Sequence, residues 1–323
     1  MKLAWGILGT GNIAGQFAAG VLGSHRGTLA ACGSRTADAT RRFAQQHNVP
    51  HAHASYDALL ADPAVQAIYV SLPNNLHHEW TLKALAAGKH VLCEKPMASN
   101  LAQVRDMYAA ARTHKRVLAE AFMYRSHPQT HAIQKALNDG AIGALKLIRT
   151  SFVYSASTID GNVRFDPALH GGSLMDVGCY CLSYSRLFAG AEPTAMQIHG
   201  HIHARGIDDY AAGSLAFPGN ILASFACGIT VHADNTAYLH GTEGYIEIPV
   251  PWKPPVENAQ FHIITPQGRR TQTVHAGKPL YALEADDFAA TVLDAAPLRV
   301  LEAETLGNQA CLDTLRKQMG LGY

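Results

Sequence analysis

Residues 9–14, with the sequence GTGNIA, constrain this chain more than any other feature because they stand between a strand pattern and a helix pattern. An apolar run precedes them at residues 3–8, and an amphipathic pattern of helical period follows. In such a turn Gly9 permits the sharp reversal, Gly11 lets a ligand approach the backbone, and Ala14 lets the helix pack closely on the strand. The amides at the start of the helix would then hold phosphate groups. The motif predicts a bound dinucleotide, with an ordinary glycine turn as the alternative.

Short β-branched runs alternate with helical patterns up to about residue 118, as in βαβ units around a parallel sheet. The sequence predicts strands at residues 3–8, 29–34, 67–71, 90–93 and 116–120. It predicts helices at residues 13–22, 38–47, 78–87 and 101–113, with Asn100 as the N-cap of the last. This alternation predicts an N-terminal Rossmann domain over residues 1–122.

The pattern changes after Tyr124, where longer alternating runs joined by turn signals indicate a largely antiparallel sheet. Predicted strands occupy residues 145–154, 195–204, 212–217, 221–232, 235–239 and 244–248. Predicted helices occupy residues 128–138, 172–187, 279–293 and 303–319. We expect an α/β chain in which an α+β domain with a large, mostly antiparallel open sheet covers residues 123–323. Whether the last helix packs back on the first domain stays open.

The composition excludes several classes of function. The chain has 323 residues, of which 48% are hydrophobic and 16% charged, so it is long enough and apolar enough for two domains. Its 26 basic side chains nearly balance its 25 acidic ones, which leaves no overall field to attract nucleic acid or anionic lipid. No apolar run approaches the roughly 20 residues that cross a bilayer, and the six cysteines are scattered without a CxxC pair. We expect a cytoplasmic protein with buried, reduced thiols and no nucleic-acid or membrane partner.

The residues at the end of the second predicted strand indicate which nicotinamide cofactor would bind. An Asp or Glu about 20 residues after the glycine turn would hold the ribose diol of NAD, whereas this chain has Gly33, Ser34 and Arg35 there. A hydroxyl and a guanidinium suit a 2′-phosphate, and Arg41 would add a second positive charge. We predict NADP(H) in preference to NAD(H). The alternative is that Arg35 is a solvated loop residue.

Two further loops follow predicted strands at the sheet edge where ligands of such folds bind. The residues that they offer to a cofactor are Leu72, Pro73, Asn74 and His77 in the first loop, and Glu94 and Lys95 in the second. Pro96 would fix the backbone after Lys95, with a cis bond as one form of that restraint. Ordinary strand-end turns are the alternative for either loop.

With these motifs in order, the chain resembles the Gfo/Idh/MocA oxidoreductases over essentially its whole length. The resemblance rests on residues 9–14, the two strand-end loops, and residues 171–180 with the sequence GGSLMDVGCY. Residues 120–125 (EAFMYR) and 241–244 (GTEG) are similar to the branch that contains dimeric dihydrodiol dehydrogenase, D-xylose dehydrogenase and glucose-fructose oxidoreductase. The resemblance implies an enzyme that moves a hydride between NADP(H) and a hydroxyl or carbonyl carbon of a sugar, polyol or related diol. It also implies a homodimer, or a higher homo-oligomer, formed through the C-terminal sheet.

The resemblance further implies roles for three side chains. Asp176 and Tyr180 are four residues apart, so they would share one face of a helix. Since hydride transfer at a carbinol requires a proton to leave or reach the oxygen, Tyr180 is assigned as the proton carrier, Lys95 as its electrostatic partner and Asp176 as a ligand of substrate hydroxyls. This hypothesis requires the three side chains to meet beside the nicotinamide. Two alternatives stay open: Lys95 carries the proton, or Tyr180 is a packed core phenol.

Other residues are weaker candidates. Arg125 and His127 would border the nicotinamide or the substrate, and Arg164 and Asp166 would contact the substrate, with ordinary surface charge as the alternative. The predicted cofactor contacts are together Gly9, Thr10, Gly11, Asn12, Ile13, Ser34, Arg35, Arg41, Leu72, Pro73, Asn74, His77, Glu94, Lys95 and Arg125. The sequence predicts no metal site, because the alternating histidines lack further ligands at a suitable spacing; they are His199, His201 and His203.

Two other functions stay open at this point. The first is an NADP-binding sensor or regulator without turnover, against which the presence of Lys95, Asp176 and Tyr180 argues. The second is a glycosidase that uses bound NAD for transient oxidation, against which Ser34 and Arg35 argue. The sequence does not identify the substrate or the physiological direction, because loop contacts decide both.

Overall fold

The computed structural model describes residues 1–322, and the chain forms two units. The first unit contains Met1–Ser126 together with Lys278–Leu306. The second contains His127–Gly277 and the residues from Gly307 onward. The sequence suggested a single boundary after residue 122. In the structure, the chain leaves the first unit after Ser126 and returns to it at Lys278.

A parallel sheet forms the centre of the first unit. Its strands are β1 (Leu3–Leu8), β2 (Gly27–Gly33), β3 (His51–His53), β4 (Ala67–Val70), β5 (His90–Glu94) and β6 (Leu118–Ala121). All neighbours run parallel, in the order β3-β2-β1-β4-β5-β6. The carboxyl ends of β1, β2, β4 and β5 consequently lie at one edge, on both sides of the point where the strand order reverses. The prediction of a Rossmann domain is confirmed.

Helices connect these strands. They are α1 (Asn12–Gly23), α2 (Ala37–His47), α3 (Tyr56–Ala61), α4 (His77–Ala86) and α5 (Leu101–His114). As predicted, the side chain of Asn100 caps α5 by accepting the amide of Gln103 at 3.0 Å. Buried apolar side chains such as Val104 of α5 and Val91 of β5 belong to one core, and each contributes about 1.5–3 kcal/mol on burial.

The second unit contains an eight-stranded sheet. Its strands are β7 (Leu145–Val153), β8 (Ala195–Ile202), β9 (Asp208–Phe217), β10 (Ile221–Gly228), β11 (Ala237–Gly241), β12 (Tyr245–Ile248), β13 (Ala259–Thr265) and β14 (Gly268–Val274). Their order is β14-β13-β12-β11-β7-β10-β9-β8, and every pair is antiparallel except β7 with β10. This unit also holds α6 (Pro128–Asn138) and α7 (Cys179–Ala189), the latter preceded by a π-helical turn, Leu174–Gly178. The predicted α+β domain with a mostly antiparallel sheet is confirmed.

Two helices end the chain, α8 (Leu280–Asp294) and α9 (Glu302–Gln318). The helix α8 belongs to the first unit, where Gly20 of α1 approaches it so closely that a Cβ there would lie 2.4 Å from the Cβ of Tyr281. The ring of Phe288 lies 5.2 Å from that of Trp5, which is fully buried. This helix therefore covers one face of the parallel sheet.

The sequence did not predict β3, α3, β13 or β14. Strand β3 has only three residues, and all seven residues of β14 are exposed or half-buried, so neither has an apolar alternation to detect. The six cysteines are free and buried, as predicted. In the part of the chain that the structure describes, none of the helices has both the length and the apolar composition to cross a membrane.

Candidate active site

The glycine turn ends β1 and begins α1, as predicted. Gly9 has a φ of +107°, and a Cβ there would lie 2.9 Å from the hydroxyl oxygen of Ser71, so only glycine fits. A Cβ on Gly11 would meet nothing within 4 Å, and α1 begins without a side-chain cap. The amides of this turn therefore lie beside open space, which fits the pyrophosphate of a dinucleotide. The other predicted contacts of the turn are half-buried or exposed, namely Thr10, Asn12 and Ile13.

The hydroxyl of Ser34 is used within the loop after β2. Ser34 is buried, and its oxygen lies 3.0 Å from the carbonyl oxygen of Thr36 and 2.9 Å from the hydroxyl of Thr40. A hydroxyl has one proton to donate. The structure thus assigns Ser34 a part in shaping the loop, and a direct bond to a phosphate would require one of these bonds to be exchanged.

The two predicted arginines lie in different surroundings. Arg41 forms an ion pair with Asp38 one turn earlier on α2, so its charge is locally balanced. Arg35 is exposed, and its charge acts on Tyr56, where it opposes the burial that raises the pKa of this phenol. The ring of Tyr56 meets the ring of Trp80 edge to face at 4.8 Å. An aromatic pair beside a guanidinium suits an adenine ring, and no pattern in the sequence indicated these two aromatic residues.

Two carboxylates hold the loop that carries Lys95. Glu94 accepts the backbone amide of Lys95 at 3.1 Å, and Glu120 accepts the backbone amide of Met97 at 2.9 Å. Both carboxylates are buried, and the Lys95–Pro96 bond is cis. Bonds between a charged acceptor and a backbone amide are about twice as strong as neutral ones. The ammonium group of Lys95 is therefore presented by a backbone that is fixed on both sides of the proline.

The fully buried His77 joins the two strand-end loops of this edge. One ring nitrogen lies 2.7 Å from the carbonyl oxygen of Leu72, and the other lies 2.9 Å from that of Pro96. The imidazolium form would donate to both oxygens. However, burial, and to a lesser degree the charge of Lys95, lower the pKa of His77 and so favour the neutral ring, which has a single N–H to donate. Pro73 and Asn74 follow at the half-buried start of a short turn before α4. His77 thus has a structural role that couples the two loops, whether or not it touches a cofactor.

A further buried carboxyl, Glu284 of α8, lies close enough to Glu94 to feel its charge. Tyr69 donates its hydroxyl to the second carboxylate oxygen of Glu94. Burial, and after it the charge of Glu94, raise the pKa of Glu284 well above its ordinary value. Burial and the neighbouring charge of Glu94 both favour the neutral form of Glu284. No pattern in the sequence pointed to this helix as a neighbour of the loop.

Arg125 lies in the turn after β6, where it is buried and donates to the carboxylate of Glu304 at 2.7 Å. Both residues belong to the first unit. This ion pair gives Arg125 a structural partner in addition to the cofactor contact that the sequence suggests.

In the second unit, the carboxylate of Asp176 accepts two side-chain bonds on one oxygen. Tyr154 donates its hydroxyl at 2.6 Å and Arg164 its Nε–H at 2.7 Å. Burial, and then the charge of Asp176, raise the pKa of Tyr154, which keeps this phenol protonated as a donor. The structure thus joins two predicted residues, Asp176 and Arg164, and adds Tyr154, which no motif in the sequence indicated.

Tyr180 lies in the first turn of α7 among aromatic rings, and only 4% of it is exposed. Its ring centroid is 5.2 Å from that of Phe152 and 6.0 Å from that of Trp252, and these two rings stack on each other. Edge-to-face contacts of this kind fix the plane of a ring. The orientation of Tyr180 is therefore set within its own unit.

A buried carboxylate from β9 anchors the helix segment that carries Asp176 and Tyr180. Asp208 accepts the hydroxyl of Ser173 at 2.7 Å and the amide of Leu174 at 2.6 Å. Gly172 has a φ of +115°, and a Cβ there would lie 2.3 Å from the carboxylate of Asp208. Burial raises the pKa of Asp208 to about 6, against the effect of these bonds. Because Asp208 is remote in sequence, the pattern of residues 171–180 could not reveal it.

Two family models match the chain. The oxidoreductase family with an NAD-binding Rossmann fold matches residues 3–122, and the GFO/IDH/MocA C-terminal domain matches residues 130–247. The chain belongs to the Gfo/Idh/MocA oxidoreductase family. It is an NAD(P)-linked enzyme that acts on hydroxyl or carbonyl groups.

Named relatives support this membership of the Gfo/Idh/MocA family. The trans-1,2-dihydrobenzene-1,2-diol dehydrogenase of Mus musculus is 38% identical over 257 residues, which cover 79% of this chain and 77% of that protein. A solved structure of KijD10, a 3-ketoreductase from Actinomadura kijaniata in complex with NADP and TDP-benzene, has a TM-score of 0.90 at 27% identity and covers 99% of this chain and 98% of that chain. The aldose-aldose oxidoreductase from Caulobacter crescentus, complexed with glycerol, has a TM-score of 0.90 at 25% identity over 98% and 97% of the two chains. The resemblance to the dihydrodiol dehydrogenase branch is confirmed.

The weaker candidates of this Gfo/Idh/MocA chain have local structural roles. Asp166 accepts the amide of Ala168 at 2.9 Å and so caps a short turn, and a ring nitrogen of His127 accepts the amide of Gln129 at 3.1 Å at the start of α6. His201, from the alternating histidines of β8, bonds to Asp209 at 2.7 Å. The contacts of Asp166, His127 and His201 thus stabilise local structure.

Proposed function

We propose that this enzyme transfers a hydride between NADP(H) and a secondary hydroxyl or carbonyl carbon of a small diol, sugar or polyol. In this proposal Tyr180 carries the proton, Lys95 is its electrostatic partner and orients the reacting oxygen, and Asp176 binds a neighbouring substrate hydroxyl. Tyr154 and Arg164 hold the Asp176 carboxylate in place.

The observation that carries the proposal is the clamped loop of Lys95. It follows β5 at the same edge of the parallel sheet as the glycine turn after β1, and Glu94 and Glu120 fix its backbone. A side chain that acts on a reacting oxygen must be held in one position to be effective. A loop that only connects two elements would not require its lysine to be fixed at the same sheet edge as the glycine turn.

The chemistry divides between the cofactor and the protein. A bound nicotinamide would supply the hydride chemistry. In the oxidative direction the substrate hydroxyl proton would pass to the phenolate oxygen of Tyr180, and in the reductive direction the phenol of Tyr180 would donate it to the substrate oxygen. The ammonium of Lys95 stabilises negative charge on the substrate oxygen and on the phenolate during either step. The relatives are a dihydrodiol dehydrogenase, a ketoreductase and an aldose-aldose oxidoreductase, and these activities support this substrate class.

The test is a panel of dihydrodiols, aldoses, inositols and keto sugars assayed in both directions by NADPH absorbance. We expect Lys95→Met and Tyr180→Phe each to lower kcat by about 10²–10⁴ on the best substrate, while Tyr184→Phe and Lys146→Met serve as matched controls near wild-type rates. Full turnover by Tyr180→Phe with none by Lys95→Met would make the lysine the proton carrier. Unchanged turnover in both variants, or sugar cleavage without net NADPH change, would overturn the proposal.

We also propose a preference for NADP(H) over NAD(H). The support is the exposed Arg35 together with the lack of a carboxylate at residues 33–35. A charge-assisted bond to the 2′-phosphate is worth about 1.5–3 kcal/mol, so Arg35→Ala should lower kcat/KM for NADP(H) by roughly 10- to 150-fold. The same variant should leave NAD(H) kinetics unchanged, and Arg42→Ala on the exposed side of α2 is the control. A wild-type enzyme that prefers NAD(H) would refute this preference.

A homodimer through the sheet of the second unit is a further proposal. Tyr210 and Leu222 share one face of this sheet and are 41% and 55% exposed, whereas Leu215 and Phe217 on the other face are buried within the chain. Light scattering on the eluting protein should give twice the chain mass, and Leu222→Glu should give a monomer. The control is Leu22→Glu, an equally exposed leucine of α1. A monomeric wild type would contradict this proposal.

A further inference from the structure

Three metal-ligating side chains converge at the edge of the parallel sheet, away from the loops described above. One ring nitrogen of His51, Nδ1, lies 2.8 Å from a carboxylate oxygen of Asp62, and Nε2 of His53 lies 2.9 Å from the same oxygen. All three ligand atoms lie within 4.8 Å of one another. No other group of three such side chains is found among residues 1–322.

The fold brings these residues together without strain. His51 and His53 are alternate residues of β3, so their side chains leave the strand on one side. Strand β3 is the edge of the sheet, and Asp62 directly follows α3, which returns the chain toward that edge. One residue pair therefore supplies two imidazoles, and the end of the next helix supplies the carboxylate.

The carboxylate of Asp62 is held in position by groups behind it. Its second oxygen accepts the amide of Ala64 at 2.8 Å, and its backbone carbonyl accepts the ammonium of Lys89 at 2.7 Å. The side chain of Asp62 is 6% exposed, whereas that of His51 is 53% exposed. Such partners behind a ligand fix its orientation and are typical of metal sites, and the exposed imidazole leaves an open approach from solvent.

We propose that His51, His53 and Asp62 bind a divalent transition-metal ion of the Zn²⁺ type. Two imidazole nitrogens and one carboxylate oxygen are ligands that Zn²⁺ takes, with a fourth position left for water. The nitrogen ligands exclude Mg²⁺ and Ca²⁺, which require oxygen. Hydrogen bonds from the two imidazoles hold the pKa of Asp62 well below its ordinary value, which favours the ionised carboxylate that a metal ion requires.

Two features set the strength of this site. Without an ion, the imidazoles donate protons to Asp62, and an ion must displace those protons. The buried ammonium of Lys89, bonded to the backbone of Asp62, opposes a second positive charge nearby. We therefore expect binding in the micromolar range, far weaker than in a closed four-ligand site.

The proposed metal site lies next to the loop that carries Ser34 and Arg35. His53 lies opposite Gly33 in the pairing of β3 with β2, directly before Ser34 and Arg35. Tyr56, which lies beside Arg35, begins α3 three residues after His53. A bound ion would join β3 to the end of α3 and so stabilise the corner that carries these residues.

The experiment uses the full-length, tag-free protein, treated with EDTA and dialysed into a buffer that does not chelate. Titration calorimetry with ZnCl₂ at pH 7.5 should give one micromolar site per chain. His51→Ala and His53→Ala should each weaken binding by at least tenfold. The matched control is His275→Ala, because His275 is an equally exposed histidine that bonds to a single carboxylate, that of Glu257. Co²⁺ added to the apoprotein should produce the visible absorption of a site with nitrogen ligands, and this absorption should be lost in both test variants.

The outcomes decide the proposal. Equal Zn²⁺ isotherms for the wild type, His51→Ala, His53→Ala and His275→Ala would overturn it, as would the lack of any saturable site below about 100 μM, which corresponds to about −5.5 kcal/mol. Both test residues lie on a short edge strand, and a thermal melt of each apo variant that matches the wild type shows that a loss of binding does not reflect a loss of fold. Saturable binding of Ca²⁺ at the same residues would also contradict the proposed ligand chemistry.

Discussion

The two units hold their candidate catalytic side chains in different ways. In the first unit, the groups that fix Lys95 come from the same motif or the next strand, namely Glu94 and Glu120. In the second unit, Asp176 and Tyr180 depend on distant residues, since Tyr154 follows β7 and Asp208 begins β9. A site built at strand ends can be recognised in the sequence, while a site on an anchored helix depends on contacts that only the fold reveals.

The two supports share one chemical device. Each is a buried carboxylate that accepts a backbone amide of the segment that carries the functional side chain; these carboxylates are Glu94 in the first unit and Asp208 in the second. They differ in their surroundings, because Glu94 has the buried carboxyl of Glu284 nearby, whereas Asp208 has the hydroxyl of Ser173 as a second donor. Substitutions at these positions can show whether the two supports matter equally.

Among the residues that support the catalytic side chains, the largest effect is expected at Asp208. Asp208→Ala removes two acceptor bonds and leaves a buried amide and hydroxyl without partners, which costs about 3 kcal/mol of stability, and kcat should fall at least tenfold because the helix start loosens. Asp208→Asn keeps an acceptor and should lose less than about 1 kcal/mol. Urea unfolding and steady-state kinetics measure both quantities, with Asp160→Ala as the fully exposed control. Equal losses for the two variants would show that the hydrogen bonds are not the support.

The pKa of Asp208 adds a pH dependence to this comparison. Its value of about 6 exceeds that of an unfolded aspartate, so the folded state binds the proton more tightly. The stabilising contribution is complete at low pH and is lost as the pH rises through about 6. In Asp208→Asn this part of the pH dependence of unfolding should disappear, and a variant with an unchanged profile would contradict the assignment.

A smaller effect is expected at Glu94. Glu94→Ala leaves the amide of Lys95 without its carboxylate, which should lower kcat about tenfold and stability by about 1–2 kcal/mol. The loss is smaller than at Asp208 because the amide of Lys95 belongs to a half-buried residue and water can replace the carboxylate there, whereas Leu174 is buried. Rescue by Glu94→Gln, with KM unchanged, would identify Glu94 as a positioning residue, and Glu79→Ala on the exposed face of α4 is the control. A rise in KM alone would show that Glu94 acts in binding instead.

Glu284 provides a stability test of the first unit alone. Its folded pKa lies above that of an unfolded glutamate, so its contribution is complete at low pH and is lost as the pH rises above the ordinary value. Above the ordinary pKa of glutamate, the unfolded state releases a proton that the folded state retains, which lowers the free energy of unfolding by up to about 1.4 kcal/mol for each unit of pKa difference. Glu284→Gln removes this loss of stability. The variant should melt at a higher temperature than the wild type at pH 8 and at a similar temperature at pH 4.5. Glu79→Gln is the control. If Glu284→Gln instead melted at a lower temperature than the wild type at pH 8, Glu284 would be charged and paired in the folded state.

The smallest effect is expected at Tyr154. Tyr154→Phe removes one of the two donors to Asp176, a change of about 1 kcal/mol, so KM should rise about fivefold while kcat stays within about twofold. Steady-state kinetics on the best substrate of the panel measure this, with Tyr210→Phe as an exposed control. A fall in kcat at constant KM would place Tyr154 in proton transfer and not in the orientation of Asp176.

These differences explain which parts of the molecule could be predicted from the sequence. The glycine turn, the parallel order of strands and the cap at Asn100 follow from local patterns, and the structure confirms them. The roles of Asp208 and Glu284 could not be predicted, because each depends on a contact between segments far apart in sequence. Strand β3 was missed because its three residues show no apolar alternation, and with it the histidine pair that faces Asp62.

The return of the chain to the first unit has a consequence for how that unit can be made. Trp5, near the N-terminus, is covered by Phe288, and the loop after α1 is held by Asp286, which accepts the amide of Arg26 at 2.8 Å. During synthesis these partners leave the ribosome more than two hundred residues after the strand they cover. A fragment that stops at Ser126 would expose an apolar sheet face to water. The first unit is thus synthesised early but cannot complete its core until the last quarter of the chain has been translated. A molecule that covers the exposed sheet face during this interval would favour folding over aggregation.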